Sequence, residues 1–363
     1  MLFKRKIGKN GHVEKYKCRL VAQGFRQSKG LHYQETFSPT PAAASIRKVL
    51  VTAAVENWEL RHLDVEQAFV RAVIDDEIYI ELPENYQEFP GAVGELNESI
   101  YGLAQAGRCW NFELTDDLRA LGFDQSHADP CVFRKPVYGE AEVIALIHVD
   151  DILVTMKGED SMEAFVADVC SKFKIKDLGE AENYMGCHIT RNRQKNPLRI
   201  DQHLYAQKIA ERFGILKTSM IPGVAGAKAV EIKDMKGFPY REAVGALMWA
   251  ATMIRPDIAN AVRLAAKLCE NPGRVHKGAV EKILQYVLRT ANLGITYGGY
   301  DNGIEMLAYA YADHATCPDM PRSTLGGAVL LGGGAISWYS RTQEITASAT
   351  SESEYVALAE IVK

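Results

Sequence analysis

Apolar and polar positions along this chain switch between a period of two and a period near 3.6, which predicts a mixed α/β protein. The opening residues read as strand, turn and strand with Asn10-Gly11 at the turn, followed by a helix over Ala42–Glu56. Strand and helix then alternate: strand Arg61–Leu63, helix Glu66–Val73, strand Glu77–Glu81 and helix Gly107–Leu121. Helix Ser161–Phe173 carries apolar residues at 162, 165, 166, 169 and 173, and strands follow around Tyr184–Thr190 and Leu198–Ile200. Residues 201–215 form an amphipathic pattern, Ser219–Lys236 reads as a loop, and Pro239–Ala266 and Pro272–Thr290 read as mostly helical. Strand periodicity returns at Glu305–Tyr311, Thr324–Leu331 and Ala335–Tyr339, before a last helix from about Ser351.

One segment departs from ordinary patterning. Val143–Met156, VIALIHVDDILVTM, brings two apolar runs together at adjacent aspartates, Asp150 and Asp151. Strands buried on both sides of unpaired carboxylates would cost several kcal/mol. A turn that presents both acids to a divalent cation removes the conflict, and the alternative is a surface hairpin with a wet acidic tip. A second acid, Asp64 in WELRHLDVEQAF, follows a short apolar approach. Two-metal phosphoryl transfer needs an acid from a separate strand, and Asp64 would supply it; read alone, the same residue is a helix N-cap. On the strand near the N-terminus, Lys17 and Arg19 alternate onto one face, where they would hold a triphosphate, Arg in bidentate fashion; an exposed strand face has the same pattern.

Charge sharpens this picture more than bulk composition does. With 47% hydrophobic and 24% charged residues the chain reads as an ordinary globular protein, long enough at 363 residues for two or three cores. The formal net charge is -4, yet residues 1–40 hold nine Lys/Arg against two Glu, a basic patch suited to phosphates. No apolar run approaches the roughly 20 residues that span a bilayer, and the N-terminus lacks a signal-peptide core, so neither membrane nor export is expected. Seven scattered cysteines without a Cys-x-x-Cys pair argue against a zinc knuckle and a disulfide framework.

The ordered motifs YKCRLVAQGF (Tyr16–Phe25), ETFSPT (Glu35–Thr40), LDVEQAF (Leu63–Phe69), IYGLAQAGRCW (Ile100–Trp110), ADPCVF (Ala128–Phe133) and HVDDILV (His148–Val154) are followed by YMGCHI (Tyr184–Ile189), RPDIANAV (Arg255–Val262), GGGAISWYSRTQ (Gly332–Gln343) and SESEYVALAE (Ser351–Glu360) further on. Together they resemble the reverse transcriptase of copia-type (pseudoviral) LTR retrotransposons, with the start of its RNase H domain, over nearly the whole chain.

The resemblance implies an α+β right-hand polymerase: fingers and ferredoxin-like palm over residues 1–200, thumb and connection helices over 201–304, and a partial RNase H-like α/β domain over 305–363. It implies an RNA-directed DNA polymerase, a nucleotidyltransferase in which Asp64, Asp150 and Asp151 hold two Mg2+ ions, Mn2+ being the alternative metal. Phe69 matches the family's steric gate, though its spacing also suits a core phenylalanine, and Gln105 matches a glutamine near nucleotide and template. Partners would be an RNA or DNA template-primer, deoxynucleoside triphosphates, and other polyprotein products such as integrase and capsid. The element's cycle runs through cytoplasmic particles and the nucleus. Asp313 and Glu354, with Glu352 as the alternative on the same helix, fit the first two ligands of an RNase H site. The third acid would lie beyond Lys363, so RNase H activity is expected to be absent.

Three positions depart from the family pattern: His148 stands where tyrosine is usual, Ala104 replaces a lysine and Gly107 a proline. They keep open a second reading, a catalytically silent retroelement remnant that binds nucleic acid without turnover.

Overall fold

The computed structural model describes residues 1–7, 12–74, 76–83, 86–136, 142–194, 197–223, 237–299, 305–316 and 322–362. The expected Asn10-Gly11 turn and most of the Ser219–Lys236 loop lie outside these residues. In chain order the elements begin with β1 (Leu2–Ile7), β2 (Val13–Arg19), α1 (Ala43–Val55), β3 (Glu59–Val65), β4 (Tyr79–Glu81), β5 (Val93–Glu95) and α2 (Ala106–Ala120). Next come β6 (Asp124–Gln125), β7 (Val132–Pro136), β8 (Glu142–His148), β9 (Asp151–Met156), α3 (Glu159–Lys172) and β10 (Ile175–Glu180). Then follow β11 (Asn183–Tyr184), β12 (Cys187–Arg191), β13 (Leu198–Asp201), α4 (His203–Arg212), α5 (Tyr240–Met253), α6 (Ala259–Ala266) and α7 (Arg274–Arg289). The chain closes with β14 (Gly294–Tyr297), β15 (Met306–Asp313), β16 (Thr324–Leu331), β17 (Gly334–Thr342) and α8 (Thr350–Val362).

These elements form two compact units. The first takes residues 1–42 and 59–180, the second residues 43–58 and 181–363. The first unit is built on a six-stranded sheet in the order β10-β3-β9-β8-β7-β6, every neighbouring pair antiparallel. Alternation decides what each face carries. Leu63, Val65, Phe133, Val143, Ala145, Ile147, Ile152, Val154 and Met156 share one core with Trp110, Leu114 and Leu118 of α2 and Met162 and Val166 of α3. Both helices therefore cover the same face, and His62, Asp64 and Asp151, on the alternate positions, belong to the other.

The expected helix over Glu66–Val73 is not formed. Only a short 3-10 turn, Ala68–Arg71, is present, after Gln67 takes a left-handed conformation at φ 60°. Backbone pairing overrides the apolar spacing there: the Val65 N–H donates to the Asp150 carbonyl and the Glu66 N–H to the Lys174 carbonyl, holding the chain extended past Asp64.

The second unit combines an antiparallel sheet β11-β12-β13-β14, a three-stranded antiparallel sheet β15-β16-β17, and helices α4 to α7 around a shared apolar core. Helix α1 belongs here through Arg47. The Arg47 side chain, 5% exposed, donates to the carbonyls of Ile336 on β17 and of Thr252 and Met253 at the end of α5, each at 2.7 Å, and lies over the Trp338 ring. The Trp338 indole N–H donates to the Ala251 carbonyl at 2.8 Å. Two side chains from other elements thus satisfy carbonyls that a helix end leaves unpaired. Burial lowers the Arg47 pKa to about 10, still protonated at neutral pH.

Candidate active site

The Asp150–Asp151 turn starts from strand register. Strands β8 and β9 pair up to His148 opposite Asp151, leaving Val149 and Asp150 to reverse the chain. Val149 takes φ 59°, a left-handed conformation that a β-branched residue adopts only where its surroundings enforce it. The Trp110 indole N–H of α2 donates to the Val149 carbonyl at 2.7 Å. The Val65 N–H donates to the Asp150 carbonyl at 2.8 Å, and the Val149 side chain packs against the α2–α3 core. The turn is fastened from three sides.

Asp64 sits within β3 directly opposite Asp151, which overturns its reading as a helix N-cap. Side chains opposite each other on antiparallel strands share a face. Burial, then the negative charges of Asp150 and Asp151, raise the Asp64 carboxyl above its ordinary range, while His62 and Lys17 pull the other way. Asp64 therefore feels both acids of the turn. His62, two residues before Asp64 and so on the same face, brings Nε2 to 2.9 Å from Asp151 Oδ1. His148, flanking the turn on β8, has a buried Nδ1 with no hydrogen-bond partner.

The expected nucleotide-binding residues occupy different settings. Lys17 lies on exposed β2, and its charge reaches Asp64. The Arg19 guanidinium lies 4.8 Å from the centre of the Tyr101 ring, which meets the Phe69 ring edge-on at 5.1 Å. Phe69 itself is half-buried between two apolar clusters. Gln105 is 3% exposed; its Nε2 donates to the His32 carbonyl at 3.0 Å and its Oε1 accepts from Gln27 at 3.1 Å. Gln27 in turn accepts from the Ala104 N–H at 2.7 Å, so the two glutamines tie this loop together.

In the second unit, Asp313 ends β15 and Glu354 lies on α8, where its Oε2 accepts the Ala312 N–H at 3.0 Å. Glu352 instead accepts from the Ser348 N–H and hydroxyl, both at 2.6 Å. Of the two glutamates, Glu354 is the one that accepts the N–H of the residue before Asp313.

Sequence reasoning missed Trp110, Val149 and His62 as parts of the acidic site. For His62 a signal existed, because alternation alone puts positions 62 and 64 on one strand face. The Trp110–Val149 bond joins residues 39 apart and has no local signature.

The family model described as reverse transcriptase (RNA-dependent DNA polymerase) matches residues 1–224. The chain is 36% identical over its full length to the retrovirus-related Pol polyprotein from transposon TNT 1-94 of Nicotiana tabacum, covering 28% of that protein. It is 33% identical, over 99% of its length, to the corresponding polyprotein from transposon RE1 of Arabidopsis thaliana, covering 25% of it. It is also 25% identical to the putative transposon Ty5-1 protein YCL074W of Saccharomyces cerevisiae, over 83% of this chain and 99% of that one. The chain thus spans about a quarter of the length of the Pol polyproteins it matches. Among the described residues no helix is long and apolar enough to cross a membrane. With a family match over more than half its length and copia-type Pol relatives along all of it, this chain belongs to the reverse transcriptase family of retrotransposon Pol polyproteins.

Proposed function

We propose that the first unit carries an RNA-directed DNA polymerase site that extends a primer on an RNA or DNA template, with Asp64, Asp150 and Asp151 as its metal ligands. The pairing of Asp64 with Asp151 across β3 and β9, at the turn that carries Asp150, supports the reading: burial, and then the charges of Asp150 and Asp151, raise the Asp64 pKa. Carboxylates held together against their own repulsion suit Mg2+, or Mn2+ in its place. When bound, two such ions would activate the primer 3′-hydroxyl and neutralise the triphosphate and its leaving group.

The protein's own share is positioning. His62 holds Asp151 from the side, Trp110 holds the turn, and the Gln27–Gln105 pair fixes the loop that precedes α2. In this reading Gln105 shapes the nucleotide pocket rather than offering a free amide, and Phe69 stands as the gate against a ribose 2′-hydroxyl. On the β1–β2 ribbon Lys4 is the register partner of Lys17, and alternation adds Lys15 and Arg19 to the same face. Like charges directly opposite one another are unfavourable on their own, and a phosphate backbone or triphosphate removes the repulsion.

By the same reading residues 1–200 are fingers and palm, 201–304 thumb and connection, and 305–363 an RNase H-like region with Asp313 and Glu354 as ligands. Primer extension on poly(rA)/oligo(dT) with Mg2+ tests the proposal. Incorporation abolished by Asp150→Asn supports it, and no incorporation by protein shown to be folded overturns it. One observation favours the second reading, a silent nucleic-acid-binding remnant: the unpartnered Nδ1 of His148 beside the acidic turn. If His148→Tyr raises incorporation about tenfold, a barrier change near 1.4 kcal/mol, that position limits an otherwise working site.

A further inference from the structure

We propose that His188, Asp201 and His203 of the second unit bind one divalent cation of the zinc, cobalt or nickel class, at a site that uses none of the acids of the first unit.

Strand register supplies two of the ligands. His188 on β12 is the partner of Asp201 on β13, so the two side chains leave the sheet on one face. His203 opens α4 two residues later, and its own backbone N–H donates to Asp201 Oδ1 at 3.2 Å, turning the helix start back over the carboxylate. One ligand atom from each of the three residues lies within 4.8 Å of the others. His203 Nδ1 is 2.5 Å from Asp201 Oδ1, His188 Nδ1 is 3.7 Å from Asp201 Oδ2, and the two imidazole rings meet edge-on with centres 5.1 Å apart.

Hydrogen bonds within the trio account for only half of this arrangement. The Asp201–His203 contact is a hydrogen bond, but 3.7 Å is too long for one, so His188 Nδ1, which the Thr190 hydroxyl also meets at 3.4 Å, faces the second carboxylate oxygen across a gap. A cation bridges such a gap. Tetrahedral coordination with metal–ligand bonds of about 2.0–2.2 Å sets ligand atoms roughly 3.3–3.6 Å apart. The two spacings to Asp201, 2.5 and 3.7 Å, fall on either side of that range, so binding would require the side chains to rotate into it.

Donor chemistry selects the ion. Two imidazoles and one carboxylate suit borderline metals, whereas Mg2+ and Ca2+ take oxygen ligands. Cys187, next to His188, alternates to the opposite face and is buried, so no thiolate joins the set. Access is open on the imidazole side: the side chains of His188 and His203 are 37% and 29% exposed, that of Asp201 10%. Three protein ligands leave a fourth position for water. All three stand on regular elements, so an ion here would staple the β12–β13 hairpin to the start of α4.

The test uses the full chain carrying Asp150→Asn and Asp151→Asn, so that the acidic cluster contributes no sites and the outcome is independent of polymerase activity. After treatment with a chelator and its removal, the protein is titrated with Zn2+ by calorimetry and with Co2+ by visible absorption. We expect one Zn2+ per chain, a rise in melting temperature on binding, and the intense bands of four-coordinate Co2+. His188→Gln and His203→Gln, each checked for an unchanged metal-free circular dichroism spectrum, should weaken Zn2+ binding by about 100-fold or more and remove the Co2+ bands. Unchanged Zn2+ affinity in both folded variants overturns the proposal. So does a folded parent chain that takes up no Zn2+ at about 0.1 mM, or a weak Co2+ spectrum of the six-coordinate, all-oxygen kind.

Discussion

The Asp64–Asp150–Asp151 cluster and the Asp313–Glu354 pair are both acidic sites beside strand ends, yet the protein uses their carboxylates in opposite ways. In the first, burial and then neighbouring charges raise the Asp64 pKa, and among the described hydrogen bonds of its carboxylates the one from His62 to Asp151 stands out. In the second, Glu354 already accepts a backbone N–H from Ala312, which is itself buried. A carboxylate that satisfies the backbone is part of the framework and is missed by the fold when removed. A crowded one is a burden on the fold, and removal relieves it. Comparing them separates an acid that also holds the fold together from acids that the fold has to hold in place.

That contrast can be broken most sharply at Asp64. Asp64→Asn should reduce primer extension by about a thousandfold or more, the scale expected when charge stabilisation at the reacting centre is lost. The same substitution should raise the metal-free melting temperature and abolish the further rise that Mg2+ gives the unaltered chain. The pH dependence has a defined sign. Because the folded-state pKa of Asp64 lies above its unfolded value, its favourable contribution is complete below the unfolded pKa, about 3.9, and is lost as pH rises through the folded pKa. The gain in melting temperature on Asp64→Asn should therefore be larger at pH 7 than at pH 4.

Glu354→Ala should do the reverse, destabilising by about 1–3 kcal/mol through the orphaned Ala312 N–H while primer extension by the folded fraction stays unchanged. Denaturant unfolding beside the activity assay reads both effects. If Glu354→Ala proves neutral, its hydrogen bond is not structural and the contrast fails. Trp110→Phe sits between the two: loss of the bond to Val149 should cost about 1 kcal/mol and lower kcat by about tenfold, as the strained turn shifts the acids. The smallest effect is expected at Gly107, where an added Cβ would meet the Ser38 side chain, its Cβ at 3.5 Å and its Oγ at 3.8 Å, both ordinary contacts. Gly107→Ala should stabilise the first turn of α2 by about 0.5–1 kcal/mol, seen in the unfolding midpoint, with activity unchanged.

Most of the elements were legible because long apolar patterns commit a segment to one period. Helices α1, α2 and α3 and the β8–β9 hairpin lie within a few residues of their expected places. The misread segment after Asp64 shows the limit: Val65, Ala68 and Phe69 have helical spacing, but two backbone hydrogen bonds to distant carbonyls decide the local geometry. Adjacent acids in an apolar run marked the turn, and a lone Asp64 became meaningful only beside it. What the sequence hid is long-range. The Trp110–Val149 bond, the Gln27–Gln105 tie and the His188–Asp201–His203 cluster all depend on which strands and loops become neighbours. Local periodicity carries no record of that.

Helix α1 has a consequence for how the chain must be made. It is made ahead of its partners, anchored by Arg47 to carbonyls some two and three hundred residues downstream. Until those residues emerge, Ile46, Val49, Leu50 and Val51 have no finished core to enter. The nascent chain must carry this greasy segment exposed until those downstream residues are made, which makes it the natural target for a chaperone. Expressing residues 1–180 alone would leave the same segment permanently stranded, and that fragment should aggregate.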